Sequence, residues 1–125
     1  MSGLPLFVYG TLRAGESQAH LLGDLGRRPA QAEGRLYHLP AGYPALVLSG
    51  SEPVFGELVD APGDALLAML DLYEGVRENL FQRVQIPVRM GLLADLAWAY
   101  VAAQPTASRG RHLPAGNWRS VRRGR

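Results

Sequence analysis

The chain has 125 residues, 47% of them hydrophobic and 19% charged, with a formal net charge of +2, a length that predicts one domain around a single core. It contains no cysteine, which excludes disulfides, thiol nucleophiles and thiolate metal sites. No apolar run approaches the ~18 residues needed to cross a membrane. No basic stretch followed by an apolar one opens the chain, so a signal peptide is not expected and the expected location is cytoplasmic.

Leu4 to Tyr9 is a short apolar run and reads as a buried strand. Residues 10–16 hold Gly10 and Gly15 and read as a turn. Ser17 is a candidate cap for a short helix to about Leu22, ended by Gly23. Glu33 to Leu39 reads as a strand stopping before Pro40, and Tyr43 to Leu48 as a second extended segment. Val54 to Val59 alternates as a strand with one partly polar face. Asp60 to Asp64 is a loop, with Asp64 as the expected N-cap of a helix from Ala65 to Leu72 or Tyr73. Leu66, Met69, Leu70 and Tyr73 lie at helical spacing and form its expected buried stripe. Arg83 to Arg89 places Val84, Ile86 and Val88 on one face, with Pro87 marking an edge or a bulge. Asp95 to Ala102 repeats Leu96, Trp98, Tyr100 and Ala102 at period two. Residues 103–125 read mostly as loop. About six strands and two helices result, a pattern that fits an α+β domain whose sheet curls toward a barrel.

All thirteen basic residues are arginines. Six of them fall in residues 109–125, which hold no acid, while residues 1–108 carry seven basic and eleven acidic residues, a balance of −4. The positive net charge therefore belongs to the end of the chain. We expect one domain over residues 1–118 and a solvated basic tail over 119–125, with nucleic-acid binding not expected.

Two places carry chemistry. At Phe7-Val8-Tyr9-Gly10-Thr11-Leu12 an apolar strand ends in a glycine turn, where successive backbone N–H groups can converge on an anion. At Leu70-Asp71-Leu72-Tyr73-Glu74-Gly75 a carboxylate sits just past an apolar helical run, although helix C-termini disfavour negative charge. An anion-binding turn with one carboxylate suits acid–base chemistry on a charged small molecule. Burial beside Tyr73 or Phe81 would make Glu74 a better base. Arg13 is a weaker anion contact, and Tyr100 a further candidate. His20, His38 and His112 lack metal-ligand spacing, so neither a metal nor another cofactor is expected. No Gly-x-Ser-x-Gly occurs.

The order of seven short motifs resembles the gamma-glutamylcyclotransferase-like (AIG2-like) family. They are Val8-Tyr9-Gly10-Thr11-Leu12-Arg13, Tyr43-Pro44-Ala45, Val54-Phe55-Gly56-Glu57-Leu58, Leu70 to Gly75, Arg83 with its alternating strand, Trp98-Ala99-Tyr100-Val101 and Gly116-Asn117-Trp118. The resemblance implies a small mixed β-barrel with flanking helices. It also implies release of 5-oxoproline from a gamma-glutamyl amine or gamma-glutamyl amino acid. Glu74 would then be the acid–base residue, with Val8, Tyr9, Gly10, Thr11, Leu12 and Tyr100 holding the glutamyl end. Two positions depart from the family pattern. Phe81-Gln82-Arg83 stands where many members have Tyr-x-Arg, and Asn117 replaces the acid of Gly-Asp-Trp. The competing reading is a non-catalytic small-anion-binding module of the same fold, whose basic tail contacts an acidic partner.

Overall fold

The structure, a computed structural model, describes residues 3–40, 42–76, 80–102 and 110–118. Its elements run β1 (Leu6–Val8), a 3-10 turn (Ala19–Leu22), β2 (Arg27–His38), β3 (Pro44–Val59), α1 (Asp64–Tyr73), β4 (Gln82–Met90), β5 (Leu93–Val101) and β6 (Arg111–His112). Five strands close in the order β3-β1-β5-β4-β2, with β2 pairing back to β3. The β1–β5 pairing is parallel and the others in the ring are antiparallel. Closure leaves these five strands without the two open edges of a flat sheet. β3 occupies one edge of β2 along its full length, so β4 and the short β6 share the other edge. None of the described helices is long and apolar enough to cross a membrane.

Alternation sorts the side chains into two layers. Phe7, Tyr9, Leu58, Ile86, Val88 and Ala97 fill the barrel. The intervening positions Leu6, Val8, Val59 and Tyr100 point outward and are covered by Leu70 of α1 and by Phe81. β1 is thus buried on both faces, which is why it reads as an unbroken apolar run. Trp118 enters the barrel core, and its Nε1 donates to His38 Nδ1 at 3.1 Å.

Several elements differ from expectation. The two segments expected at 43–48 and 54–59 are halves of one strand. Gly34 faces Glu52 and Arg35 faces Val47, so residues 48–51 are extra on the β3 side and form a wide bulge. Ser49-Gly50-Ser51 and Pro53 carry turn chemistry in sequence, and the bulge absorbs it. β2 begins at Arg27 rather than Glu33 because its first half pairs with the second half of β3.

The helix caps also move. Gly63 caps α1, and Asp64 is its first residue, with no side-chain cap hydrogen bond. The acid still favours the positive end of the helix. The short helix near Ser17 is a 3-10 turn whose N-cap is Gln18. Leu67 and Leu70 are the buried side chains of α1, whereas Met69 and Tyr73 are 41% and 46% exposed. One helix leaning on a barrel buries a narrower stripe than one in a layered core. Pro87 is exposed and lies where β4 has only β5 beside it among the described strands. β6 falls in a region that read as loop, since two residues are too few to show a period. The tail expected at 119–125 lies outside the described residues.

Candidate active site

The turn after β1 is built by fixing its far side. Arg27, on β2, donates through Nη1 to the Leu12 carbonyl at 2.7 Å and to Glu57 Oε1 at 2.9 Å. Its Nη2 donates to the Ala19 carbonyl at 3.2 Å. Glu57 in turn accepts the Ala14 N–H at 2.9 Å. Within the turn the Arg13 N–H donates to Gly10 O at 3.0 Å, and the Gln18 N–H to Thr11 O at 2.9 Å. The carbonyls are thereby turned back toward the chain. Among the described residues, the Thr11 and Leu12 amides donate to no backbone carbonyl. Gly10 is needed here for space: a Cβ on it would stand 2.5 Å from Cγ of Pro44. Clearance from Pro44, rather than the bend of the backbone, is what requires a glycine here.

Glu74 is placed by the end of α1. It is the C-cap, and the Gly75 and Val76 N–H groups donate to the Leu72 and Asp71 carbonyls at 3.2 and 3.0 Å. These two bonds form a Schellman motif, which requires a left-handed residue after the cap. Gly75, at φ +71°, supplies it. The spelling Tyr-Glu-Gly thus stops the helix and fixes where Glu74 emerges.

Both pieces line one cavity of about 310 Å³, at the low end for small-molecule sites. The β1 end contributes Phe7 and every residue from Val8 to Leu12. Tyr43, Pro44, Tyr73, Leu80, Phe81 and Tyr100 complete the walls around Glu74. Of the residues that the sequence nominated, Glu74, Val8 to Leu12 and Tyr100 therefore meet in one place. Arg13 does not join them. It is buried, and its Nη1 donates to Asn117 Oδ1 at 3.1 Å, which ties the turn to the closing segment of the chain. Asn117 is a structural partner of this kind.

Among the wall's described residues Glu74 is the one with a formal charge. Burial raises its carboxyl to about 7, and among the described residues no cation or hydrogen bond offsets that rise. Burial, followed by the nearby Glu74 charge, keeps the Tyr9 phenol far from ionising. Its hydroxyl donates to the Tyr100 carbonyl at 2.6 Å and accepts the Leu46 N–H at 3.1 Å.

Asp71 and Arg83 escaped the sequence reading as functional groups. Arg83 donates Nε and Nη2 to the two Asp71 oxygens at 2.8 and 3.1 Å, and the Tyr100 hydroxyl donates to Asp71 Oδ1 at 2.7 Å. Partial burial pulls Asp71 upward, but the Arg83 and Tyr100 hydrogen bonds and the Arg83 charge outweigh it and hold the carboxyl below its ordinary value. The cue in the sequence was that both residues sit inside the recurring motifs.

A small closed barrel whose cavity carries, among its described residues, one carboxylate has the form of a small-molecule site. Residues 6–120 match the family model "Gamma-glutamyl cyclotransferase, AIG2-like". The chain belongs to this family. It is 35% identical over 102 residues to the gamma-L-glutamyl-butirosin B gamma-glutamyl cyclotransferase of Niallia circulans. That alignment covers 77% of this chain and 65% of the relative, so the chain spans just under two thirds of that protein's length. It is 38% identical over 121 residues to a Vibrio cholerae protein whose name assigns it provisionally to the gamma-glutamylcyclotransferases, covering 90% and 93% of the two chains. Among solved structures, YkqA of Bacillus subtilis shares the fold with a TM-score of 0.78 at 23% identity, over all of this chain and 44% of that one.

Proposed function

We propose that the protein releases 5-oxoproline from a gamma-glutamyl amine or gamma-glutamyl amino acid, with Glu74 shuttling the proton. The observation that carries this reading is a single carboxyl, raised to about 7 by burial, in the cavity it shares with the Tyr9–Leu12 turn.

The substrate's own α-amine attacks its own γ-carbonyl carbon. Ionised Glu74 takes one proton from the α-ammonium, and the freed amine attacks, so the N–C bond of the five-membered ring forms. Glu74 passes that proton to the amide nitrogen as its C–N bond breaks, and the second surplus proton of the ring nitrogen follows by way of the same carboxylate, so the products are the neutral lactam N–H and an ammonium. Nothing is oxidised and no water is consumed. One carboxyl serves as base and then acid, a role worth ~10²–10⁴-fold when its pKa lies near the working pH. The larger contribution comes from holding the glutamyl chain curled, up to ~7–11 kcal/mol for ideal alignment. The Thr11 and Leu12 N–H groups would donate to the α-carboxylate or to the developing oxyanion. Val8, Tyr9 and Gly10 shape the backbone that presents them, and Tyr100 forms the facing wall.

The binding-module reading is weaker, because a desolvated carboxylate in an anion site would oppose the ligand unless it handled protons. Incubation with a panel of gamma-glutamyl amides separates the readings. Cyclisation yields 5-oxoproline and free amine in equal amounts and no glutamate. Release of glutamate, or binding without turnover of any panel member, would contradict the proposal.

A further inference from the structure

Asp71 stands on α1 three residues before Glu74 and does not line the cavity. Its carboxylate is held from two strands at once, by both donors of Arg83 on β4 and by the Tyr100 hydroxyl on β5. Arg83 is itself seated, with its guanidinium 4.4 Å from the centre of the Trp98 ring. The Asp71 carbonyl accepts the Val76 N–H, so the same residue also holds the backbone on the far side of Glu74. Tyr100 carries the connection across the site, because its own carbonyl accepts the Tyr9 hydroxyl.

We propose that Asp71 is a positioning residue for Glu74: through Arg83 and Tyr100 it locks the last turn of α1 to β4 and β5, and so fixes the Glu74 carboxylate relative to the Tyr9–Leu12 turn. The proposal rests on the reading of Glu74 as the proton shuttle. An apolar residue at this position would also attach the helix, but it would leave rotation about the helix axis free. A two-pronged arginine–carboxylate pair fixes the plane of the carboxylate, and a third bond from Tyr100 fixes its direction. Proton transfer tolerates little error, since a displacement of 1 Å can cost ~10²-fold. The Tyr100 hydroxyl is engaged in this lock, while the residue also lines the cavity.

Asp71→Asn and Tyr100→Phe test the lock, with 5-oxoproline release as the first readout. Each is expected to lower kcat ~10–100-fold while KM for a gamma-glutamyl amide stays within about threefold. The double variant is expected to be no worse than Asp71→Asn alone, because both remove one device. The second readout is the titration of the Glu74 carboxyl by ¹³C NMR, with its signal assigned by loss in Glu74→Gln. Loosening the helix end admits water, so the midpoint should fall from near 7 toward the ordinary carboxylate range. Tyr100→Phe changes no charge and must move it in the same direction, and it covers the case in which Asp71→Asn fails to fold. Unchanged kcat in folded variants, or a loss of kcat with an unmoved midpoint, would make Asp71 a structural anchor only and overturn the proposal. If the wild-type protein releases no 5-oxoproline, the proposed function fails separately. The titration then decides alone: a lowered midpoint supports the lock and an unmoved one overturns it.

Discussion

Glu74 brings an ionisable group to a place where ionisation is costly, and this has a measurable consequence for stability. Its carboxyl titrates near 4.5 when unperturbed and near 7 in the fold. A raised carboxyl favours the protonated folded state. The penalty is therefore absent below about 4.5, grows as pH rises between the two values and is complete above about 7. Glu74→Gln removes the penalty. Its melting temperature should match the wild type at pH 4 and exceed it at pH 8, by the equivalent of roughly 2–3 kcal/mol. Equal pH dependence in the two proteins would show that Glu74 is solvated. The same ionisation should govern activity: kcat/KM is expected to rise with pH through about 7, as the base form of Glu74 appears.

At the scale of elements, α1 is the part whose end matters. Gly75 holds the left-handed position that stops the helix, and a Cβ there would meet Leu80 Cδ1 at 2.8 Å. Gly75→Ala should destabilise by roughly 1–2 kcal/mol, and it should lower turnover by more than that loss explains, because Glu74 is the preceding residue. Normal turnover in a destabilised Gly75→Ala protein would separate the cap from the site. Much of this element was legible in the sequence. The apolar spacing gave the helix and its end at Leu72 or Tyr73, and the stop at Gly75 emerges from the structure. Its buried face was misread at Met69 and Tyr73, since spacing alone does not say how wide a stripe the partner covers. The bulge at residues 48–51 was hidden for a related reason. Turn residues look alike whether they end a strand or swell it, and only the pairing with β2 decides.

For the whole molecule, closure is the dominant fact. It brings Tyr9 and Glu74, sixty-five positions apart in the chain, to one cavity, and it buries Trp118 inside the barrel. The motif order announced the barrel and the meeting of its two chemical ends. The Asp71–Arg83–Tyr100 lock and the Arg27–Glu57 brace were not legible, because each joins side chains from separate elements of the chain at ordinary polar positions. Truncation before residue 119 keeps Trp118 and Asn117, and should leave the melting temperature within a few degrees. Truncation before residue 116 removes the Trp118 side chain from the core and the Asn117 partner of Arg13. Loss of a buried Trp is worth ~3–5 kcal/mol, enough to unfold a domain of this size or nearly so. Equal melting temperatures for the two truncations would show that the barrel closes without its last segment.

If one buried carboxyl moves the proton in the proposed ring-closing cleavage, its loss should cut turnover without unfolding the protein. The decisive measurement is 5-oxoproline release from a gamma-glutamyl amide by Glu74→Gln, beside the wild type, with folding and 5-oxoproline affinity checked on the same samples. The substitution keeps size and most hydrogen bonding but cannot take up the proton. The expected outcome is a folded protein that still binds 5-oxoproline and has lost at least ~100-fold in turnover. Turnover near the wild-type rate from a folded Glu74→Gln protein would contradict it.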